Sequence, residues 1–309
     1  MKRNNFISRA INHCYQRTSD HGVLFYDTCD RLMFFTIFCI VAARQNVQVL
    51  KLVLMPDHTH HSTITSTKQK LAAFNRDYES IFAHEYNARF GRNGPLFEKP
   101  FGRAQKCGDK YIRGHLLYLD NNPVERKLVK KAEEYRWNFL AYGISAHPFS
   151  KKIVLRDASM PLRRALAIVK SAHFQGRYLR YQLLRNLFDS LRDDKEKEQL
   201  TDFIISTYSV IDHCAAIRFF GSYESELMAA HSNTGEEWDI HEVKIGKSDT
   251  WYDTFTDIIM TEAPLDDIHG ILNMSTPQKR RYFELLSAKT NAPWNQIKAF
   301  LHLPVELNR

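Results

Sequence analysis

The amino-acid sequence predicts an α+β fold: one antiparallel sheet with helices, followed by a mostly α-helical C-terminal region. Three observations lead there. Over the first 150 residues, short β-branched runs alternate with longer segments of helical periodicity. From about residue 160 onward the patterns are helical. The longest apolar run, 32–43, has about twelve residues, short of the roughly 20 that a membrane span needs.

Residues 11–18 and 22–26 read as short strands around a Ser19-Asp20-His21-Gly22 turn. Residues 30–44 are apolar, lack Gly and Pro, and are long enough for a helix. The run 47–55 (VQVLKLVLM) is rich in β-branched residues and predicts a strand buried mostly on both faces. Pro56-Asp57 interrupts it, and 58–64 resume as a half-polar strand. Residues 67–90 carry helical periodicity through Leu71, Phe74, Tyr78, Phe82 and Tyr86. Asn93-Gly94-Pro95 is a turn and 96–106 another strand. Asp109 suits the N-cap of a helix that runs to about Asn122, where Pro123 limits it. Helices follow at 161–191, 195–208 and 217–230, and the polar stretch 232–249 reads as a loop or linker. Near the end, 276–289 and 293–303 have the length and form of a helix-turn-helix pair. The expected organisation is a catalytic domain over 1–150, a basic helical extension over 151–231, and a polar linker with a C-terminal helical region over 232–309.

Apolar residues are 44% and charged residues 25%, so a sizeable core can form and wholesale disorder is excluded. The five cysteines are odd in number, widely spaced and without a Cys-x-x-Cys pair. That excludes a disulfide framework and a thiolate zinc site, and points to a reducing cytoplasm. The apolar run at 32–43 also lies too far along for a signal peptide. Charge is uneven: net +9 over 1–150, +8 over 151–185 and −9 over 186–309. A basic front half is what a polyanion-binding module shows.

Two groups of residues carry chemistry. On an extended strand, His58 and His60 point to the same side and can converge on one divalent ion, whereas His61 points away. Taken alone, a His-x-His pair is a weak signal. In the helix KYIRGHLLYLDNNP, Tyr111, His115, Tyr118 and Asn122 fall within about 60° of one another, on one stripe. Tyr118 and Asn122 are one turn apart, so a phenol nucleophile and a carbonyl ligand can share a site. Packing tyrosines produce the same stripe.

Together these strings resemble a family. LVLMPDHTHH is similar to the Met-Pro-Asn-His-x-His signature of the REP-associated tyrosine transposases, single-tyrosine HUH enzymes of bacterial insertion sequences. Tyr118-Leu-Asp-Asn-Asn122-Pro123-Val124, with Arg126 and Leu128-Val129, resembles their Tyr-Ile-x-x-Asn-Pro-Val helix. YRWNFLAY (135–142) is similar to the aromatic segment that closes the domain, and HCYQRT and GPLFEKPFGRAQ match the flanking strands. The resemblance covers about residues 8–145. Asp57 stands where the family has Asn, and Thr59 where it has a bulky hydrophobic residue.

The resemblance implies a ferredoxin-like antiparallel sheet and a metal-dependent endonuclease and strand transferase acting on single-stranded or hairpin DNA. It implies Tyr118 as the nucleophile that becomes linked to a 5′ phosphate, and a Mg²⁺ or Mn²⁺ ion held by His58, His60 and Asn122. Bond energy kept in the phosphotyrosine lets a 3′-OH reverse the step without ATP. Arg17, Arg103, Arg163, Arg164, Arg177, Arg180 and Arg185 are the expected DNA contacts. The last five lie in a segment where arginines interleave with Phe174, Tyr178 and Tyr181. The sequence leaves a homodimer open. Two rivals also remain: a domesticated DNA-binding protein that transposes nothing, and a metal-dependent hydrolase with water as nucleophile.

Overall fold

The computed structural model describes residues 6–232 and 249–304. Its first part runs β1 (Ile11–Arg17), α1 (Thr28–Gln45), β2 (Gln48–Leu54), β3 (His58–Ile64), α2 (Lys68–Phe90), β4 (Gly102–Lys106) and α3 (Asp109–Glu125). The four strands form one antiparallel sheet in the order β2-β3-β1-β4. Pro56-Asp57 makes the tight connection between β2 and β3, with Met55 N–H donating to His58 O at 2.9 Å.

Local chemistry explains the ends of these elements. Asp27 and Asp30 form a reciprocal capping box at the start of α1, and Asn46 closes it in the left-handed conformation. Thr67 caps α2 by accepting from Lys70 N, and Gly91, at φ 65°, ends it. α3 runs through Pro123 to Glu125, past the stop expected near Asn122. Proline's fixed φ is helical, so near a C-terminus its cost is the missing N–H and the ring's crowding of the preceding turn.

Other expectations shift: the helix expected over 217–230 begins only at Tyr223, and Gly108, not Asp109, is the N-cap of α3. The segment 22–26 is buried but is not a strand, because its amides bond elsewhere: Leu24 and Phe25 to Pro56 O, Val23 to Ala299 O. Of 96–106, only Gly102–Lys106 enters the sheet, with Phe97 making an isolated bridge to Thr18. Pro100, which has no N–H to donate, separates the two. The helix expected over 161–191 divides at Gly176 (φ 63°) into α4 (Met160–Phe174) and α5 (Tyr181–Asp189).

The remaining helices are α6 (Asp194–Tyr208), α7 (His213–Ile217), α8 (Tyr223–Ser232), α9 (Tyr252–Glu262), α10 (Thr276–Lys289) and α11 (Trp294–Phe300). Of the polar linker expected at 232–249, residues 233–248 lie outside the described residues.

The layers follow from which faces are apolar. α1 and α2 cover one face of the sheet and α3 the other. α1 is buried on nearly every side from Cys29 to Ala42, as a helix must be when it is sandwiched. Its second partner is the α4–α6 layer, whose Leu162, Leu179, Leu184 and Ile204 join the same core. Leu179 N–H donates to Thr36 Oγ1 of α1 at 3.1 Å. The C-terminal unit has its own core of Phe255, Ile259, Ile271, Leu286, Ile297 and Phe300, into which Val23 and Tyr26 of the first part insert. Among the described residues no helix is long and apolar enough to cross a membrane.

Candidate active site

Alternation along β3 places His58 and His60 together on the sheet face that α3 covers. Their partners across β1 are Arg17 and Tyr15, and His13 lies opposite Ser62. His61 points to the other face, where its ring packs against Phe38, Phe74 and Tyr78 and its Nε2 meets Asn75 Oδ1 at 3.0 Å.

α3 brings Tyr118 and Asn122 to the same place, one turn apart on the stripe the sequence predicted. Asn122 Nδ2 donates to the Tyr118 hydroxyl at 3.2 Å and lies 3.5 Å from His60 Nε2. The Tyr118 ring stands edge-on to His60 with centroids 5.9 Å apart, and the His58 and His60 rings are perpendicular at 4.8 Å. All four side chains are at most 5% exposed. At the solvent end of the stripe, Tyr111 is 73% exposed and joins none of them.

Residues outside the predicted set complete the surroundings. His13 Nε2 sits 3.1 Å from His60 Nδ1, and the His13 ring lies 4.5 Å from that of His115, which in turn hydrogen-bonds Ser62. Burial lowers the pKa values of His60, His13 and His115 well below the usual imidazole range, and neighbouring positive charge lowers them further. At pH 7 these rings are neutral. A neutral His60 that gives its Nδ1 proton to His13 keeps its Nε2 lone pair on the side of Tyr118 and Asn122. The visible signal for His13 was the same alternation that found the pair: residues 13, 15 and 17 of β1 share one face.

Asp57, next to His58 in the chain, accepts from His58 Nδ1 at 2.5 Å. Its other oxygen lies 3.7 Å from Arg17 and 3.6 Å from Arg126. Burial alone would raise its pKa, but His58, Arg126 and Arg17 outweigh that and hold it well below the carboxylate range. Arg126 also pairs with Asp249, at 3.3 Å, so a C-terminal residue reaches the edge of the site. Asp57 therefore orients His58 from behind.

The donor set suits a divalent cation. It offers two imidazoles, one of them held neutral, and the Asn122 Oδ1 carbonyl. That oxygen is buried and has no hydrogen-bond partner among the described residues. A buried carbonyl oxygen without a donor is what a metal ligand looks like before the metal arrives. A second cluster of metal-ligating groups, Asp27, Asp30 and His269, has ligand atoms within 4.8 Å of one another.

The expected DNA contacts divide. Arg17 lies on the sheet face of His58 and His60 but is buried against Asp57. Arg103 pairs in register with Cys14, whose thiol contacts Asn75 of α2, so it faces the opposite side of the sheet. Arg163, Arg164, Arg177, Arg180 and Arg185 belong to the α4–α5 layer behind α1 and do not meet the histidines. Arg163 donates to the Ala158 and Arg156 carbonyls, Arg180 pairs with Glu85 at 3.2 Å, and Arg185 pairs with Asp189 and Asp267 at 3.6 Å.

No protein-family profile matches the chain, and no curated protein matches it. Among solved structures, a REP-associated tyrosine transposase bound to a REP hairpin is similar over 44% of this chain and 80% of that one. The two are 17% identical, with a TM-score of 0.39. At that distance the reading of function rests on the residues of the site.

Proposed function

We propose that this chain is a metal-dependent DNA strand-cleaving and strand-joining enzyme of the single-tyrosine HUH kind, with Tyr118 as nucleophile. The observation that carries the reading is the convergence of Tyr118, Asn122 and His60 in one hydrogen-bonded string, beside His58, with Asn122 Oδ1 left over. The strand-helix-strand-strand-helix-strand order with sheet order β2-β3-β1-β4 supports the ferredoxin-like plan that the reading requires.

His58, His60 and Asn122 would hold the ion, Mn²⁺ or Mg²⁺, and nitrogen ligands favour Mn²⁺ of the two. When bound, such an ion neutralises charge on the scissile phosphate. The side chains supply the rest. Asn122 Nδ2, already donating to the Tyr118 oxygen, stabilises the phenolate as it forms. The phenol oxygen bonds to phosphorus as the bond to the 3′ oxygen breaks, and the proton that tyrosine loses is matched by one the 3′ oxygen gains. Asp57 and His13 fix the two imidazoles from behind, so neither must reorient during the step.

The substrate class is single-stranded or hairpin DNA, matched by the net +9 of residues 1–150. Arg163, Arg164, Arg177, Arg180 and Arg185 are proposed as contacts for a part of the DNA distant from the cut, since they lie in the layer behind α1. One observation favours a second reading. Tyr118 is only 4% exposed, so DNA must open a path to it, and a chain that bound DNA without cutting would need no such path.

One experiment separates the two. A suicide oligonucleotide carrying the target hairpin, incubated with Mn²⁺, should leave a phosphotyrosine adduct that survives denaturing electrophoresis. Tyr118→Phe, which removes one hydroxyl, should abolish the adduct and leave binding within about 2-fold. An adduct that persists in Tyr118→Phe, or binding with no adduct in the unsubstituted chain, defeats the strand-transfer reading.

A further inference from the structure

We propose that Asp27, Asp30 and His269 form a second metal site, of the zinc class, that fastens the C-terminal helical unit to the catalytic domain. The site is separate from the proposed catalytic centre and does not depend on that reading. Asp27 and Asp30 open α1, on the sheet face away from His58 and His60, whereas His269 belongs to the 3-10 helix Ile268–Asn273. Ligands drawn from positions 239 residues apart thus meet at one point.

Four features make this a built site. His269 Nε2 faces Asp30 Oδ2 at 2.8 Å, while Asp267 holds His269 Nδ1 from behind. That is the carboxylate–imidazole–metal arrangement, in which the rear carboxylate fixes the tautomer and aims the other nitrogen. The ring itself is locked: Phe90 stacks on it at 3.9 Å and 4°, and the Tyr26 and Tyr181 rings stand against it, each at 5.3 Å. Asp30 is fully buried, yet its Oδ1 has no hydrogen-bond partner among the described residues. An orphaned carboxylate oxygen inside a protein calls for a cation.

Charge points the same way. Asp27, Asp30 and Asp267 bring three carboxylates to the cluster, against which stand the His269 imidazole clasped between Asp30 and Asp267, and Arg185, 3.6 Å from Asp267. A dication that displaces the Nε2 proton adds one positive charge to this excess of negative charge.

The dimensions are close to those zinc requires. Two ligands at about 2.0 Å in a tetrahedron stand roughly 3.3 Å apart, against the 2.8 Å between His269 Nε2 and Asp30 Oδ2. Opening the pair by about half an ångström admits the ion. Asp27 can join without losing its present bonds, since each of its oxygens accepts one hydrogen bond, from Asp30 N and from Tyr181, and keeps a second lone pair.

The test uses the full chain with His58→Ala and His60→Ala, so that the catalytic histidines bind nothing. Metal-free protein is titrated with Zn²⁺ against a chromophoric chelator, and with Co²⁺ followed by visible absorption. We expect one equivalent of zinc, a tetrahedral cobalt spectrum and a higher melting temperature with metal. His269→Gln and Asp30→Asn should lose the equivalent, and Asp267→Asn should weaken it about 10- to 100-fold. If a variant fails to fold by circular dichroism, the titration of the chain with Asp27, Asp30 and His269 intact still decides. A folded chain that takes up no zinc overturns the proposal, because a protonated His269 clasped by carboxylates binds none. Zinc uptake that survives in a folded His269→Gln protein also overturns it.

Discussion

Glu79 is a carboxyl held where water scarcely reaches, and replacing it with Gln should change how stability depends on pH. The residue lies on α2 at the wall of a groove of about 550 Å³ formed with Arg76, Leu96, Phe97 and Lys99, and its own side chain is buried. Burial pushes its pKa from 4.5 up to about 8, and the Tyr78 hydroxyl and Lys99 recover only part of that. The sign follows from linkage. A carboxyl whose pKa is higher in the fold than in the unfolded chain contributes stability that is fully present below pH 4.5 and is lost as pH rises through 8. Between those limits the loss approaches about 5 kcal/mol, of which about 3 kcal/mol is gone at pH 7. Glu79→Gln keeps the shape and cannot ionise. Urea unfolding of both proteins at half-unit steps from pH 5 to pH 9 gives two stability curves. Subtracting one from the other removes every other titrating group. The variant should gain on the parent by about 3–5 kcal/mol across that window. Parallel curves would show that the carboxyl is charged and solvated in the groove, and the reasoning from burial would fail.

Two further outcomes are expected. A methyl group at Gly102 would overlap the Tyr15 ring that lies over it on the sheet face of His60, so Gly102→Ala should cost about 1–3 kcal/mol. Most of that should return in the Tyr15→Ala background, and strictly additive costs in the double variant would refute the overlap. Replacing Arg177, Arg180 and Arg185 by Ala should lower the salt dependence of single-strand binding by about 0.7 for each phosphate no longer neutralised. An unchanged slope and affinity would leave that layer as a solvated helix face.

How legible was this in the sequence? The parts set by strict periodicity were. A two-residue repeat put His58 and His60 on one face and sent His61 to the other, and a 3.6-residue repeat joined Tyr118 to Asn122. What periodicity cannot show is which distant segments complete a buried face. His13 reads as one residue of a polar strand until its Nε2 is seen 3.1 Å from His60. The segment 22–26 has the composition of a strand, but its amides bond to the Pro56 carbonyl and to α11, a tertiary choice that overrides local propensity. The basic stretch 151–185 was legible as charge but not as place. Its α5 packs on α1 and its α4 on α6, so their depth behind the sheet depends on residues far away in sequence.

Periodicity is equally silent on how the later part of the chain reaches the sheet face of His58 and His60. Lys51 of β2 is buried on that face between Asp120 of α3, at 2.7 Å, and Glu226 of α8, at 2.8 Å. Arg126, just past α3, is joined to Asp57 on one side and to Asp249 on the other. Buried ion pairs add little net stability, because desolvation offsets their attraction, but they resist misplacement, since any other register strands a charge. The helix that carries Tyr118 and Asn122 is therefore held in register by these ion pairs, and Glu226 and Asp249 bring to them carboxylates from late in the chain. Meanwhile α4–α6 press on α1 from the other side of the sheet. Residues beyond 150 thus reach the α3 face of the sheet through Lys51 and Arg126 and the other face through α1. Removing them would leave Lys51 with one carboxylate where it now has two, and would take Asp249 away from Arg126. A structure organised this way uses its helical extension to set the position of Tyr118 and Asn122, the residues proposed for the reaction.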